Sequence, residues 1–209
     1  MVTFRAEHFV ELMRIIALDI TGNKELLTRL DAAAGDGDLG VNMELGFCTI
    51  WKKLDEDPPA DLSTAFYRCG TLFNQAAPST LGTILSSVFF SFASSTESLE
   101  SLDRATFVEM MENAMTEISE LGGARPGDKT ILDSMLPFTN TLKGHLKDPG
   151  LTVWSEVARK TEEAAQATAE MVSRAGRARM YGEKSKGVCD GGAVVFAIIA
   201  RALEKYFTV

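Results

Sequence analysis

Apolar residues recur every three or four positions along almost the whole chain, and nowhere do they alternate with polar ones for the length of a strand. No other feature restricts the fold as much. A 3.6-residue period buries one face of a helix, whereas a two-residue period buries one face of a sheet. Phe9, Leu12, Met13, Ile16 and Ile20 mark the first buried face, and Gly22 ends that segment. Leu26, Leu27 and Leu30 continue in a short helix up to Asp31, and Val41 to Leu54 forms the next one, stopping before Pro58-Pro59. Leu62 to Ala77 and Thr80 to Ala93 read as two apolar helices parted at Pro78. Phe107, Met110, Met111, Ala114, Ile118 and Leu121 define another, closed by Gly122-Gly123. Thr130 to Leu146 reads as helical with Pro137 as a kink, Leu151 to Met171 as one long helix, and Ala193 to Tyr206 as an apolar final helix. The expectation is an all-α fold: an antiparallel barrel or bundle of about eight helices, forming a single domain over residues 1–209.

Composition narrows the function classes. A net charge of −8 argues against a nucleic-acid partner, which needs a Lys/Arg surface. An acidic chain that handles phosphates must draw positive charge from metal ions, helix N-termini or a few basic side chains. Cys48, Cys69 and Cys189 have no paired spacing, so neither a disulfide framework nor a zinc site is implied. Arg5, Glu7, Glu11 and Arg14 interrupt the N-terminal region where a secretory signal would be apolar, and the apolar run Leu81 to Ala93 is shorter than a membrane span. A cytoplasmic protein without a membrane partner is expected.

Three loops combine glycine with charge. In Asp31-Ala-Ala-Ala-Gly-Asp36-Gly-Asp38, three carboxylates converge among small residues, a set of hard oxygen donors that suits Mg²⁺ or Ca²⁺. The same spacing also describes a solvated turn whose aspartates cap helices, and spacing does not choose between the two. An EF-hand is excluded, because its fifth and twelfth positions counted from Asp36 are Gly40 and Phe47. The second loop, Gly122 to Thr130, lets a backbone approach closely at Gly127 and leads into a helix N-terminus able to receive a phosphate. Its Asp128 needs no role beyond a helix cap, and its spacing is not that of a P-loop. The third, Gly176 to Gly192, gathers Arg177, Arg179, Lys184 and Lys186, a set that either lines a phosphate pocket or forms a solvated face. His8 and His145 fall on predicted helices, so none of the loops has a histidine base.

Taken together, the segments LDAAAGDGDLGVNMELGF, GARPGDKTILDSMLPF and GRARMYGEKSKGVCDGGA resemble the L subunit of dihydroxyacetone kinase, the DAK2-type nucleotide-binding domain, in the family's order and over essentially the whole chain. The resemblance implies a barrel of antiparallel helices with ADP or ATP in loops at one end, held through two Mg²⁺ ions. On it, Asp31, Asp36 and Asp38 are the metal ligands and the catalytic set. Gly40, Asn42, Gly82, Thr83, Gly127, Asp128, Arg177, Lys184, Asp190 and Gly192 are the nucleotide-binding candidates. It also implies a separate K subunit that holds a small ketose on a histidine, and a phosphoryl donor that is either free ATP or an M subunit of the phosphotransferase system.

The chain departs from the family's usual pattern at Leu39, where histidine is usual, in Asn74 to Thr80, which lacks Gly-Gly-x-Ser-Gly, at Val188-Cys189, and at Gly191 in place of proline. Lys184 replaces arginine, keeping the charge without the bidentate fork. A paralogue acting on a tetrulose and a non-catalytic ADP-binding module stand as alternatives. Gly182-Glu-Lys-Ser and Asp190-Gly-Gly favour the dihydroxyacetone type over the fatty-acid-kinase type.

Overall fold

The computed structural model describes residues 4–148 and 150–208. Among them are nine α-helices: α1 Phe9–Gly22, α2 Lys24–Ala32, α3 Leu39–Glu56, α4 Leu62–Ala76, α5 Thr80–Ser95, α6 Arg104–Gly122, α7 Leu132–Gly144, α8 Val153–Ala167 and α9 Gly191–Thr208. Short 3-10 segments occupy Ala6–His8, Thr168–Glu170 and Arg177–Ser185. The only β pairing among the described residues is an isolated bridge between Phe4 and Leu102.

Local chemistry sets the helix ends. Asp61, Ser79 and Asp103 accept the backbone N–H groups of Thr64, Gly82 and Thr106, capping α4, α5 and α6. Helix α6 stops at Gly123, whose φ of 66° is left-handed. Helix α7 continues through Pro137. The helix expected over Leu151 to Met171 gives way to the 3-10 segment at Thr168, whose hydroxyl donates to the Ala165 carbonyl at 2.5 Å and accepts the Asp190 N–H at 2.8 Å. That side chain therefore competes with the regular helical ladder.

Packing closes the helices into a ring. Helix α1 lies on α3, α3 on α4, and so on in chain order through α8 on α9, and α9 returns to α1; α2 sits outside the ring against α3 and α9. Edge-to-face phenylalanine pairs run from Phe9 to Phe66, Phe92, Phe107, Phe138 and Phe196, joining α1, α4, α5, α6, α7 and α9 across the lumen. They enclose an apolar cavity of about 150 Å³. No helix among the described residues is long and apolar enough to cross a membrane.

Candidate functional site

The ring brings helix starts together. A cavity of about 390 Å³ opens at one end and is lined by Leu39, Thr80, Ile131 and Gly191, which stand at the starts of α3, α5, α7 and α9. Ile118 and Gly122, at the end of α6, line it too, so α6 runs opposite to its neighbours α5 and α7. Four helix N-termini at one pocket bring partial positive charge to it, which favours an anion.

The Asp31–Asp38 loop forms one wall. One carboxylate oxygen from each of Asp31, Asp36 and Asp38 lies within 4.8 Å of the other two. Asp31 stands near the end of α2 and turns back, its Oδ2 accepting the N–H groups of Asp38 at 3.0 Å and Leu39 at 3.3 Å. Gly35 permits this, because a Cβ there would sit 2.2 Å from Asp31 Oδ1. Asp38 occupies the N-cap position of α3 without spending its side chain on the cap, which leaves that carboxylate free. Three hard oxygen donors at this spacing fit a magnesium ion that completes its shell with water and phosphate oxygens.

Across the cavity, Arg177 donates to Asp36 from the 3-10 segment. That hydrogen bond is the main reason the Asp36 carboxyl is held below the usual carboxylate range, and it holds the Arg177 guanidinium charged in return. Asp190, just before α9, accepts the Ala193 N–H through Oδ1 at 2.8 Å. Burial pushes its carboxyl up to about 6, Asp133 adds to the rise, and Lys129 partly offsets it.

The cavity wall takes in six of the residues singled out in the sequence: Asp31, Asp36, Asp38, Arg177, Asp190 and Gly192. Gly40, Asn42, Gly82, Thr83, Gly127, Asp128 and Lys184 are not part of it. Several of these support it instead. A Cβ on Gly40 would sit 2.2 Å from the Lys24 carbonyl, so this glycine lets α2 lie against the first turn of α3. Gly82 packs likewise on the Ala77 carbonyl. Asp128 accepts the Arg125 N–H, and the Gly127 N–H goes to Asp133, so both shape the turn before α7.

Ser79, Thr80, Lys129 and Cys189, which were not among the candidate site residues, also line the cavity. Ser79-Thr80 and Cys189 stand at two of the departures from the family's usual pattern, and Ser-Thr ahead of an apolar helix is also a legible cap signal. Both histidines lie at the opposite end. His145 follows the last residue of α7, and His8 packs near Tyr206 at the end of α9.

The family model described as the DAK2 domain matches residues 33–205. The chain belongs to the DAK2 domain family. This DAK2 domain is 32% identical over 181 residues to the ADP-binding subunit DhaL of PEP-dependent dihydroxyacetone kinase 1 from Listeria innocua, covering 87% of this chain and 86% of that one. It is 32% identical over 174 residues to the corresponding Escherichia coli subunit, covering 81% of each. It is also 32% identical over 205 residues to the L-erythrulose 1-kinase of Mycolicibacterium smegmatis, which covers 97% of this chain but 36% of that protein. The chain thus spans about a third of the length of the erythrulose kinases it matches. In fold, the DAK2 domain superposes on the dihydroxyacetone kinase from C. freundii in complex with AMP-PNP and Mg²⁺ with a TM-score of 0.76, at 21% identity over 94% of this chain and 33% of that one.

Proposed function

We propose that the chain, as one domain over residues 1–209, is the nucleotide-binding, phosphoryl-transferring subunit of a dihydroxyacetone-type ketose kinase, working with a separate substrate-binding K subunit. The observation that carries this reading is the carboxylate triad set beside four converging helix N-termini. One feature suits magnesium and the other suits phosphate, and a magnesium-bound nucleoside phosphate needs both. The relatives named as ADP-binding DhaL subunits, matched over most of their length, support the same assignment.

In this reading Asp31, Asp36 and Asp38 hold two magnesium ions and are the residues on which catalysis depends. Magnesium, when bound, neutralises charge on the nucleotide phosphates. Arg177, Asp190 and Gly192 line the phosphate side, and the first amides of α5 and α9 receive phosphate oxygens. Gly40, Asn42, Gly82, Thr83, Gly127, Asp128 and Lys184 complete the nucleotide site, several of them by shaping its walls. Catalysis rests on positioning and charge stabilisation of the transferred group.

No histidine lies near the cavity among the described residues, so activation of the acceptor hydroxyl is assigned to the K subunit. Rephosphorylation of bound ADP by a phosphotransferase-type partner fits the relatives named PEP-dependent; free ATP is the other donor. A tetrulose acceptor is a second reading, favoured by the 32% identity to an L-erythrulose kinase along nearly the whole chain.

The test is coupled phosphorylation of dihydroxyacetone and of erythrulose with this chain alone, a K-type partner alone, and the two together. Turnover is expected only from the mixture, and the better acceptor identifies the ketose. Robust turnover by the lone chain would overturn the divided active site. Silence of every mixture would favour an ADP-binding module without catalysis.

A further inference from the structure

Lys129 lines the nucleotide cavity, yet its charge is directed elsewhere. The side chain is 4% exposed, and its Nζ donates to the Ser185 carbonyl at 2.5 Å and to the Met171 carbonyl at 3.3 Å. Its backbone is left-handed, with φ of 64°, a region a non-glycine residue occupies only where its surroundings insist on it. The same turn makes a further attachment, because the Asp128 carbonyl accepts the Arg174 N–H at 3.0 Å. Ser185 relays the anchorage: its hydroxyl donates to the Gly182 carbonyl at 2.6 Å and accepts the Ser173 N–H at 2.9 Å.

The stretch held in this way runs from Met171 to Ser185; in its 3-10 part, Arg177–Ser185, Ser185 is the only buried residue and Gly182 breaks the helical geometry. Met180 and Tyr181 are exposed, so apolar burial does little to order it. Met171 and Ser185 are instead tied to one buried ammonium, and Arg177 is displayed between them against Asp36.

Resting on the nucleotide-binding reading above, we propose that Lys129 is a positioning residue of that site: it fastens Met171 and Ser185, between which Arg177 lies, and so places Arg177 at the phosphates. Burial lowers the ammonium's affinity for its proton, and nearby Asp190 works against that loss.

The test uses Lys129→Met, which keeps the stem without the ammonium, and Lys129→Gly, which also suits the left-handed backbone. Hydrogen exchange read by mass spectrometry without nucleotide should rise across residues 174–187 in both variants and stay unchanged in α1 and α4. ADP affinity at fixed magnesium should fall roughly tenfold, as for loss of a charged hydrogen bond. Arg177→Ala should lower it similarly, and the double variant Lys129→Met/Arg177→Ala should lose no more than the weaker-binding single variant.

Multiplying losses would mean that Lys129 contacts phosphate directly and would overturn the positioning role. Unchanged exchange across 174–187 in both variants would overturn it as well. A wild-type chain that binds no ADP would sink the nucleotide reading, and the exchange measurement would still decide whether Lys129 fastens the segment.

Discussion

Gly40→Ala tests whether the α2–α3 contact is what holds the triad in shape. A Cβ at residue 40 would lie 2.2 Å from the Lys24 carbonyl oxygen and 2.4 Å from Thr28 Oγ1. A carbon–oxygen contact relaxes at about 3.3 Å or beyond, so α2 must retreat by about 1 Å. The Lys24 carbonyl belongs to the α2 backbone and cannot rotate away as a side chain would. The Lys24–Glu44 ion pair, 2.5 Å long, ties the same two helices and would be stretched. Forced repacking of this kind costs about 1–3 kcal/mol, and each kcal/mol corresponds to roughly 2–4 °C of Tm in a chain of this size. Asp31 lies near the end of α2, so the retreat carries its carboxylate away from Asp36 and Asp38. We expect the Tm to fall and magnesium-dependent ADP affinity to drop by more than the stability loss alone explains, since a misplacement of about 1 Å is enough to disable a positioned group. Thermal denaturation and calorimetric titration, run on the same preparation, separate the two effects. Wild-type Tm and wild-type ADP affinity in the variant would refute the reasoning.

Other substitutions address other parts of the account. Asp190 has its carboxyl raised from an ordinary 3.8 to about 6, mainly by burial, so the fold prefers the protonated form. Its stabilising contribution is full below pH 4 and is lost as pH rises through about 6. The shift corresponds to about 3 kcal/mol, and nearer 2 because the side chain keeps an edge on the cavity. Asp190→Asn should therefore be more stable than wild type at pH 8 and nearly equal to it at pH 4, in urea titrations without magnesium; a gap independent of pH would refute this. Asp103→Ala removes the α6 cap and should cost about 1 kcal/mol while ADP binding stays at the wild-type level, since that cap lies at the end of the ring away from the cavity. An ADP affinity that fell with the cap would show that the two ends are coupled.

The helices were legible because each buries a face at a 3.6-residue period, and Phe9 to Ile20 or Phe107 to Leu121 needs no tertiary information to be read. The carboxylate loop was legible for a different reason, since glycine and alanine leave little for three nearby aspartates to do except cap or coordinate. The cavity wall was less legible because ring closure assembles it. Thr80, Ile131 and Gly191 meet only once α5, α7 and α9 start at the same end. Lys129 sits in a turn that reads as a helix start, and nothing local reveals that its ammonium reaches the Met171 and Ser185 carbonyls. The ordered 3-10 segment within the polar stretch Gly176 to Gly191 was hidden likewise, because its order comes from those distant bonds and not from its own periodicity.

The central claim is that this end of the ring binds a nucleotide through metal held by Asp31, Asp36 and Asp38. Calorimetric titration of ADP into the protein at a series of magnesium concentrations, for wild type and for Asp36→Asn, tests it most directly. The account predicts that wild-type affinity rises steeply with magnesium and that Asp36→Asn loses that dependence while its circular dichroism stays helical. ADP binding that is equally tight with and without magnesium, or that survives Asp36→Asn unchanged, would contradict it.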